Sequence, residues 1–273
     1  MNRYTWRTGV REAGMILVAL TVMIPLYILV NLALKKEGDL GSPLQPVTSP
    51  TFENFSAAWT EAGLGPAMFY TATITLLSLV LIVFMAAMAA YPLARITRTW
   101  SKLVFVLFMA GLLLPVQLAL FPLYSTMRDL GLLNSVWALV IYYTGHIVPF
   151  SVFLYTSFLR TMPTDFEEAA RIDGASPFRT FWSVVFPLAR PVTGTVIILN
   201  AIGIWNDFLT PLLYLSGSKQ QTIPVALYSF LGQYESRWQL VFAGLIIGLA
   251  PILVIYFLLQ KYIIQGFAGG LKG

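Results

Sequence analysis

Residues Glu167 to Pro191 read EEAARIDGASPFRTFWSVVFPLARP, a polar stretch set between long apolar ones. Thr164 and Glu167 have the three-residue spacing of a capping box, which predicts a short helix starting there. Phe166, Ala169, Ala170 and Asp173 fall at i, i+3, i+4 and i+7. One helix face would therefore carry small side chains, with Glu167, Glu168 and Arg171 supplying charge around it. Gly174 suits the left-handed residue that ends a helix, and Ser176 followed by Pro177 reads as an N-cap and first-turn proline of a second helix. Phe178, Phe181, Trp182 and Val185 would form its apolar face, and Pro187 and Pro191 limit it. A polar helix-turn-helix between apolar spans is expected to serve as a docking surface for a soluble partner.

Outward from this insert the chain is membrane-like. It has 273 residues, 58% hydrophobic and 11% charged, too apolar and charge-poor for an ordinary soluble domain. Uncharged runs cover Ala13–Leu34, Ala62–Ala94, Leu103–Met127, Leu130–Leu159 and Trp238–Gln260, and a sixth, Val192–Leu215, is interrupted by Asp207. Each exceeds the roughly 20 residues that cross about 30 Å of hydrocarbon. The fold class expected is an all-α integral membrane protein with six transmembrane helices, at about 13–34, 66–94, 103–126, 134–159, 192–215 and 239–260. These belong to a single domain, 1–273, with an inner loop at 161–190 and outer loops at 35–65 and 216–237. The first run lacks a convincing small-residue cleavage site and reads as a retained span.

Six spans put both termini on one side. Arg3, Arg7, Arg11, Arg95, Arg98, Lys102, Arg160, Arg171, Arg179, Arg190, Lys261 and Lys272 would share that side, against Lys35, Lys36, Arg128, Lys219 and Arg237 on the other. The positive-inside rule makes the first side cytoplasmic. The net charge of +5 then reflects insertion bias and anionic lipid, and no basic run is dense enough for nucleic acid.

The outer loop 35–65 reads as extended around Pro43, Pro46 and Pro50, with a short interfacial helix at Phe52–Thr60. The loop 216–237 begins GSKQQTIP and continues VALYSFLGQYES, read as a helix on the outer surface. Pro25, Pro115, Pro122, Pro149, Pro211 and Pro251 lie in or near spans, where proline bends a helix unless neighbours satisfy the freed carbonyl. Ala86, Ala87, Ala89, Ala90, Gly194, Gly203, Gly244 and Gly248 offer surfaces for close packing, the last two at GxxxG spacing.

No catalytic constellation is present: there is one histidine, no cysteine, no GxSxG and no Walker A pattern. A metal site is not expected, nor is ATP hydrolysis by this chain. Asp207, in Trp205-Asn206-Asp207-Phe208, lies about 16 residues into the fifth span, roughly 24 Å across at 1.5 Å per residue. A carboxylate there costs on the order of 2.5–3.5 kcal/mol to insert and must face protein or water. Two readings stay open, a wall of a translocation path or a cap near the outer interface with Trp205 at headgroup depth. His146 has no acidic relay in its own helix and reads as a hydrogen-bonded structural residue. Tyr142, Tyr143, Phe150, Phe153 and Tyr155 suit either sugar stacking or helix packing.

Glu168-Ala169-Ala170, Asp173-Gly174-Ala175 and Pro187 match, in order and spacing, the EAA loop of ABC importer permeases, and WNDFLTPL resembles the fifth-span signature of sugar-importer permeases. The FENF segment, Leu113-Leu114-Pro115 and the ending Gly266–Gly273 extend the likeness over nearly the whole chain, which is similar to the maltose-type permease subunit. The resemblance implies a carbohydrate importer in the cell (inner) membrane, both termini cytoplasmic. The partners it implies are a second, homologous permease, two ABC ATPase subunits holding ATP and Mg, and an extracytoplasmic sugar-binding protein. ATPase coupling would fall to Glu167, Glu168, Ala169, Ala170, Arg171, Asp173, Gly174, Ala175 and Pro187, and the substrate path to Trp205, Asn206 and Asp207. Phe186 and Asp207 depart from leucine and glutamate in the family pattern. A glycerol-phosphate or polyol cargo, and a stand-alone ion-coupled transporter, are the alternatives; a phosphate-bearing cargo predicts a basic pocket, and the lone transporter several intramembrane ionisable groups or an inverted repeat.

Overall fold

A computed structural model describes residues 6–39, 41–113, 115–232 and 236–270, with side chains to residue 260 apart from 7 and 259. Arg3, Leu114 and Lys272, the end of the glycine-rich tail, and the side chains of Arg7 and Lys261 lie outside the described residues. The helices are α1 (Trp6–Leu34), α2 (Glu53–Glu61), α3 (Leu64–Arg95), α4 (Thr99–Leu113), α5 (Val116–Asp129), α6 (Val136–Thr161) and α7 (Asp165–Ile172). They continue with α8 (Pro177–Thr180), a π turn (Phe181–Val185), α9 (Phe186–Leu188), α10 (Arg190–Asn206), α11 (Leu209–Tyr214), α12 (Ile223–Tyr228) and α13 (Trp238–Gly270). Among the described residues no strand forms, only a single Leu231–Ser236 bridge.

Among the described residues four helices are each long and apolar enough to cross a membrane, or up to six if each of two bent pairs forms one span. The expected third span is one of these pairs: α4 and α5 meet at 97°. Pro115 precedes the first residue of α5 in an extended conformation, ψ 119°, and cannot donate to the preceding turn. The fifth span also departs from a continuous helix, because α10 ends at Asn206, Asp207 is extended at ψ 127°, and a separate short helix follows. Pro25, Pro122, Pro149 and Pro251 stay inside helices that continue through them.

The described chain packs as two compact units, residues up to 65 with 226–250, and residues 66–225 with those from 251 onward. In the first, the loop after α1 is not merely extended. Asn31 donates to the carbonyls of Pro43 and Gln45 at 2.9 Å and accepts from the Val47 amide. Lys35, 2% exposed, donates to the Gly41 and Ser42 carbonyls at 3.1 and 3.0 Å, with the Asp39 carboxylate 3.7 Å away. Asn54 at the start of α2 donates to the carbonyls of Ala33 and Lys35. These three side chains replace the ladder bonds a loop lacks, which is how a proline-rich segment buries backbone polar groups without penalty. Arg237, just before α13, donates to Glu37 and Glu61. Hydrogen bonds to Glu61 and then Glu37 push its guanidinium pKa still further above the ordinary value.

The helix expected over 225–236 is shorter, ending at Tyr228. The chain turns back there because Phe230 is buried and its carbonyl accepts from the Arg237 amide. Gly244 of the expected GxxxG pair meets the Leu227 side chain, so its small size serves contact with α12.

In the second unit, α6 packs against α4 and α10. Ala86, Ala87 and Ala90 of α3 are at most 2% exposed and share a core with Val152, Tyr155, Leu159, Val185 and Val196. Small residues at that spacing permit close backbone approach, the condition for van der Waals packing in lipid. Asn134, left-handed at φ 63°, ties the turn before α6 to the end of α11: its amide donates to the Tyr214 carbonyl and its side chain accepts from Gly217.

Candidate coupling and translocation site

The polar insert forms the predicted pair of short helices. The α7 C-terminus closes with a Schellman motif: the Ala175 amide donates to the Ala170 carbonyl and the Gly174 amide to that of Arg171, with Gly174 at φ +80°. Ser176 accepts from the Arg179 amide as N-cap of α8, and Pro177 opens that helix. Phe181 and Val185 are buried and Trp182 stacks on Phe84, whereas Phe178 is exposed, so the expected apolar face starts one turn later. Pro187 lies in α9, just before the chain bends by 72° into α10.

The start of α7 departs from expectation. Thr164 makes no side-chain cap bond, and its hydroxyl donates instead to Glu168 at 3.1 Å. Glu167 does not reach back to complete a capping box, nor does it charge the outer surface: it is 2% exposed. Its Oε1 accepts from Arg95 Nε at 2.8 Å, with Nη2 of the same guanidinium at an ion-pair distance of 2.7 Å, and its Oε2 accepts from the Tyr91 hydroxyl at 2.9 Å. A carboxylate taken out of water needs a charged partner and filled lone pairs, and α3 supplies both.

What α7 presents outward is therefore Phe166, Glu168, Ala169, Arg171, Ile172 and Asp173, all exposed, with Ala170 and Ala175 half-buried behind them. Phe166 is 53% and Ile172 86% exposed. An apolar ridge rimmed by charges of both signs, on a helix one turn away from a rigid reverse, has the character of an interaction surface.

Asp207 sits elsewhere, at the break between α10 and α11. Its Oδ2 accepts from the Tyr143 hydroxyl at 2.9 Å and its Oδ1 faces the Thr210 amide at 3.4 Å. It therefore caps α11 and also lines a cavity of about 360 Å³, together with Gln117, Tyr142, Tyr143, His146, Asn200 and Thr210. No Lys or Arg is among the lining residues. Trp205 is 5% exposed, so its ring is buried in protein, and the Asn206 amide donates to its own helix at the Ile202 carbonyl. Neither lines the cavity.

His146 is exposed toward this cavity and stacks on the Tyr142 ring, 5.8 Å between centroids. Tyr155 turns away and donates to Thr193. Gln117, Asn200 and Thr210 were not anticipated as lining residues. They stand on three different helices, and no spacing in the sequence joins them.

Residues 82–269 match the family model described as "Binding-protein-dependent transport system inner membrane component". The chain belongs to this family. The matched range takes in the whole polar insert and the Asp207 cavity. Among relatives of this permease, the melibiose/raffinose/stachyose import permease protein MelC of Bacillus subtilis (strain 168) is 37% identical, over 93% of this chain and 92% of that protein. The diacetylchitobiose uptake system permease protein NgcG of Streptomyces coelicolor is 32% identical over 96% of this chain and 88% of the relative. A crystal structure of a bacterial ABC transporter involved in the import of the acidic polysaccharide alginate contains a chain of the same fold. Its TM-score is 0.81 at 21% identity, covering 96% of this permease and 99% of that chain. The resemblance to ABC importer permeases is thus borne out over nearly the full length, and the family is a transporter component rather than an enzyme.

Proposed function

We propose that this permease is a carbohydrate-import subunit that forms half of the translocation path and receives its driving force at α7. The observation that carries the reading is the outward face of α7, where Glu168, Ala169, Ile172 and Asp173 stand exposed on a helix braced from behind. Glu168, Arg171 and Asp173 meet complementary groups of an ATPase subunit, and Ala169, Ala170 and Ala175 allow close approach. Gly174 and Pro187 fix the turn and the exit that aim the helix, and Glu167 braces it. Two such ATPase subunits, holding ATP and Mg, a second homologous permease and an extracytoplasmic sugar-binding protein complete the assembly. The chain works as one membrane domain with both termini in the cytoplasm, its tail from Gln265 reaching the ATPases and the 216–222 loop meeting the binding protein.

Sugar as cargo is supported by the permeases it is similar to and by the cavity. Tyr142 and Tyr143 offer ring faces, and Asp207, Asn200 and Gln117 offer hydroxyl-bonding groups. A phosphate-bearing cargo calls for basic groups, which this lining does not contain. A stand-alone ion-coupled transporter is disfavoured by the family and by the scarcity of intramembrane charge.

The test is reconstitution with a second homologous permease, the ATPase and the sugar-binding protein: oligosaccharide uptake is expected only with ATP and all four components. Uptake by the purified chain alone, without ATP, would overturn the reading. In the same assembly Asp207→Asn keeps the size of the side chain but turns the charge-assisted bond from Tyr143, worth about 1.5–3 kcal/mol, into a neutral one of about 1 kcal/mol, so sugar flux should fall on the order of tenfold. ATP hydrolysis without sugar should stay unchanged.

A further inference from the structure

We propose that α3 is a connecting rod between the coupling helix and the outer loop, and that Arg95, Glu167 and Tyr91 are the positioning residues that fasten its inner end. The proposal rests on the docking role of α7 and adds how that motion leaves it.

Glu167 and Glu168 are neighbours with opposite fates. Glu168 is exposed, whereas both oxygens of Glu167 are occupied by α3 side chains seventy-odd positions away, Arg95 at 72 and Tyr91 at 76 residues. The same Arg95 guanidinium donates through Nη2 to the Met162 carbonyl, at the C-cap of α6, at 3.2 Å. One planar cation thus joins α3, the end of α6 and α7. Between α6 and α7 lie only residues 162–164, and eight residues of helix cannot hold their own direction in water. Arg95 and Tyr91 hold the two carboxylate oxygens separately, so the charge-assisted Nε–Oε1 bond and the Tyr91–Oε2 bond together fix the orientation of Glu167 as well as its distance.

The segment that follows α7 is fastened to α3 too. The Tyr91 and Phe181 rings lie 5.4 Å apart and Phe84 stacks on Trp182 at 5.7 Å. The outer end of α3 is also tied: the buried Thr71 hydroxyl accepts from the Ile223 amide at 3.0 Å, at the close of the 216–222 loop. Thr71 and Arg95 are 24 positions apart on one helix, about 36 Å at 1.5 Å per residue. A continuous helix, bonded near both ends, carries displacement in either direction, from the ATPase outward and from the binding protein inward.

The experiment uses the complete reconstituted transporter and reads two quantities, retention of the ATPase subunits on purification and stimulation of ATP hydrolysis by the sugar-loaded binding protein. Glu167→Gln should keep the ATPases bound yet lose stimulation at least tenfold, and Thr71→Val, at the far end, should reproduce that loss. The exchanged pair Arg95→Glu with Glu167→Arg should recover stimulation above either single change. Unaltered stimulation in Glu167→Gln, or no recovery in the exchanged pair, overturns the rod. Loss of the ATPases from Glu167→Gln also overturns it, placing Glu167 on the docking surface. If the unaltered chain never retains the ATPases, it is the docking reading that has failed.

Discussion

Glu168→Arg is expected to abolish ATP-coupled uptake, lowering it about a hundredfold or more, while the protein still inserts and folds. Glu168 is exposed and, among the described residues, its one side-chain bond is from the Thr164 hydroxyl, so nothing described inside the fold depends on its charge. An exposed charge of this kind contributes on the order of 0–1 kcal/mol to stability. At an interface the same reversal is far costlier, because it replaces a paired carboxylate with a cation facing donors, and like-charge juxtaposition costs several kcal/mol. At about 1.4 kcal/mol per factor of ten, two such units of loss already remove detectable coupling. Uptake in vesicles and co-purification of the ATPase should both collapse, with membrane content and melting behaviour unchanged. Uptake within twofold of normal removes α7 as the docking helix.

Arg95→Ala is expected to act through the interior instead. It leaves the Glu167 carboxylate, 2% exposed, without its cation, and removes the donor to the Met162 carbonyl. Breaking a buried pair on one side typically costs about 3–5 kcal/mol, since the remaining charge has neither water nor partner. The loss should be local, because the α3–α6–α10 core lies along other side chains. Amide exchange over 165–172 should accelerate by on the order of a hundredfold or more, with little change over α6. The double change Arg95→Ala with Glu167→Ala should restore most of that protection, since no orphan charge remains. Unchanged exchange in the single variant would show that the pair does not hold α7.

The two substitutions mark where local reading succeeds and where it ends. The helix-turn-helix was legible because each of its signals acts within four residues: a glycine for a left-handed C-cap, a serine before a proline for an N-cap. Sequence also separated the apolar runs from the polar insert, since hydrocarbon thickness sets a length that any window reveals. It misjudged Glu167, whose capping-box spacing is genuine but loses to a cation 72 residues distant. The loop after α1 was read as extended because prolines advertise themselves locally, while the carbonyls claimed by Asn31, Lys35 and Asn54 carry no spacing signal.

By itself, then, the sequence determined that the chain is helical, membrane-embedded and a member of the ABC importer permease family, because hydrophobicity, turn chemistry and an ordered motif are one-dimensional properties. Only the tertiary structure decided which of two adjacent glutamates faces outward, and that Tyr143 meets Asp207 beside Asn200 in one cavity. Those outcomes depend on which distant group arrives to satisfy a buried charge, and proximity in space is set by packing rather than by position along the chain.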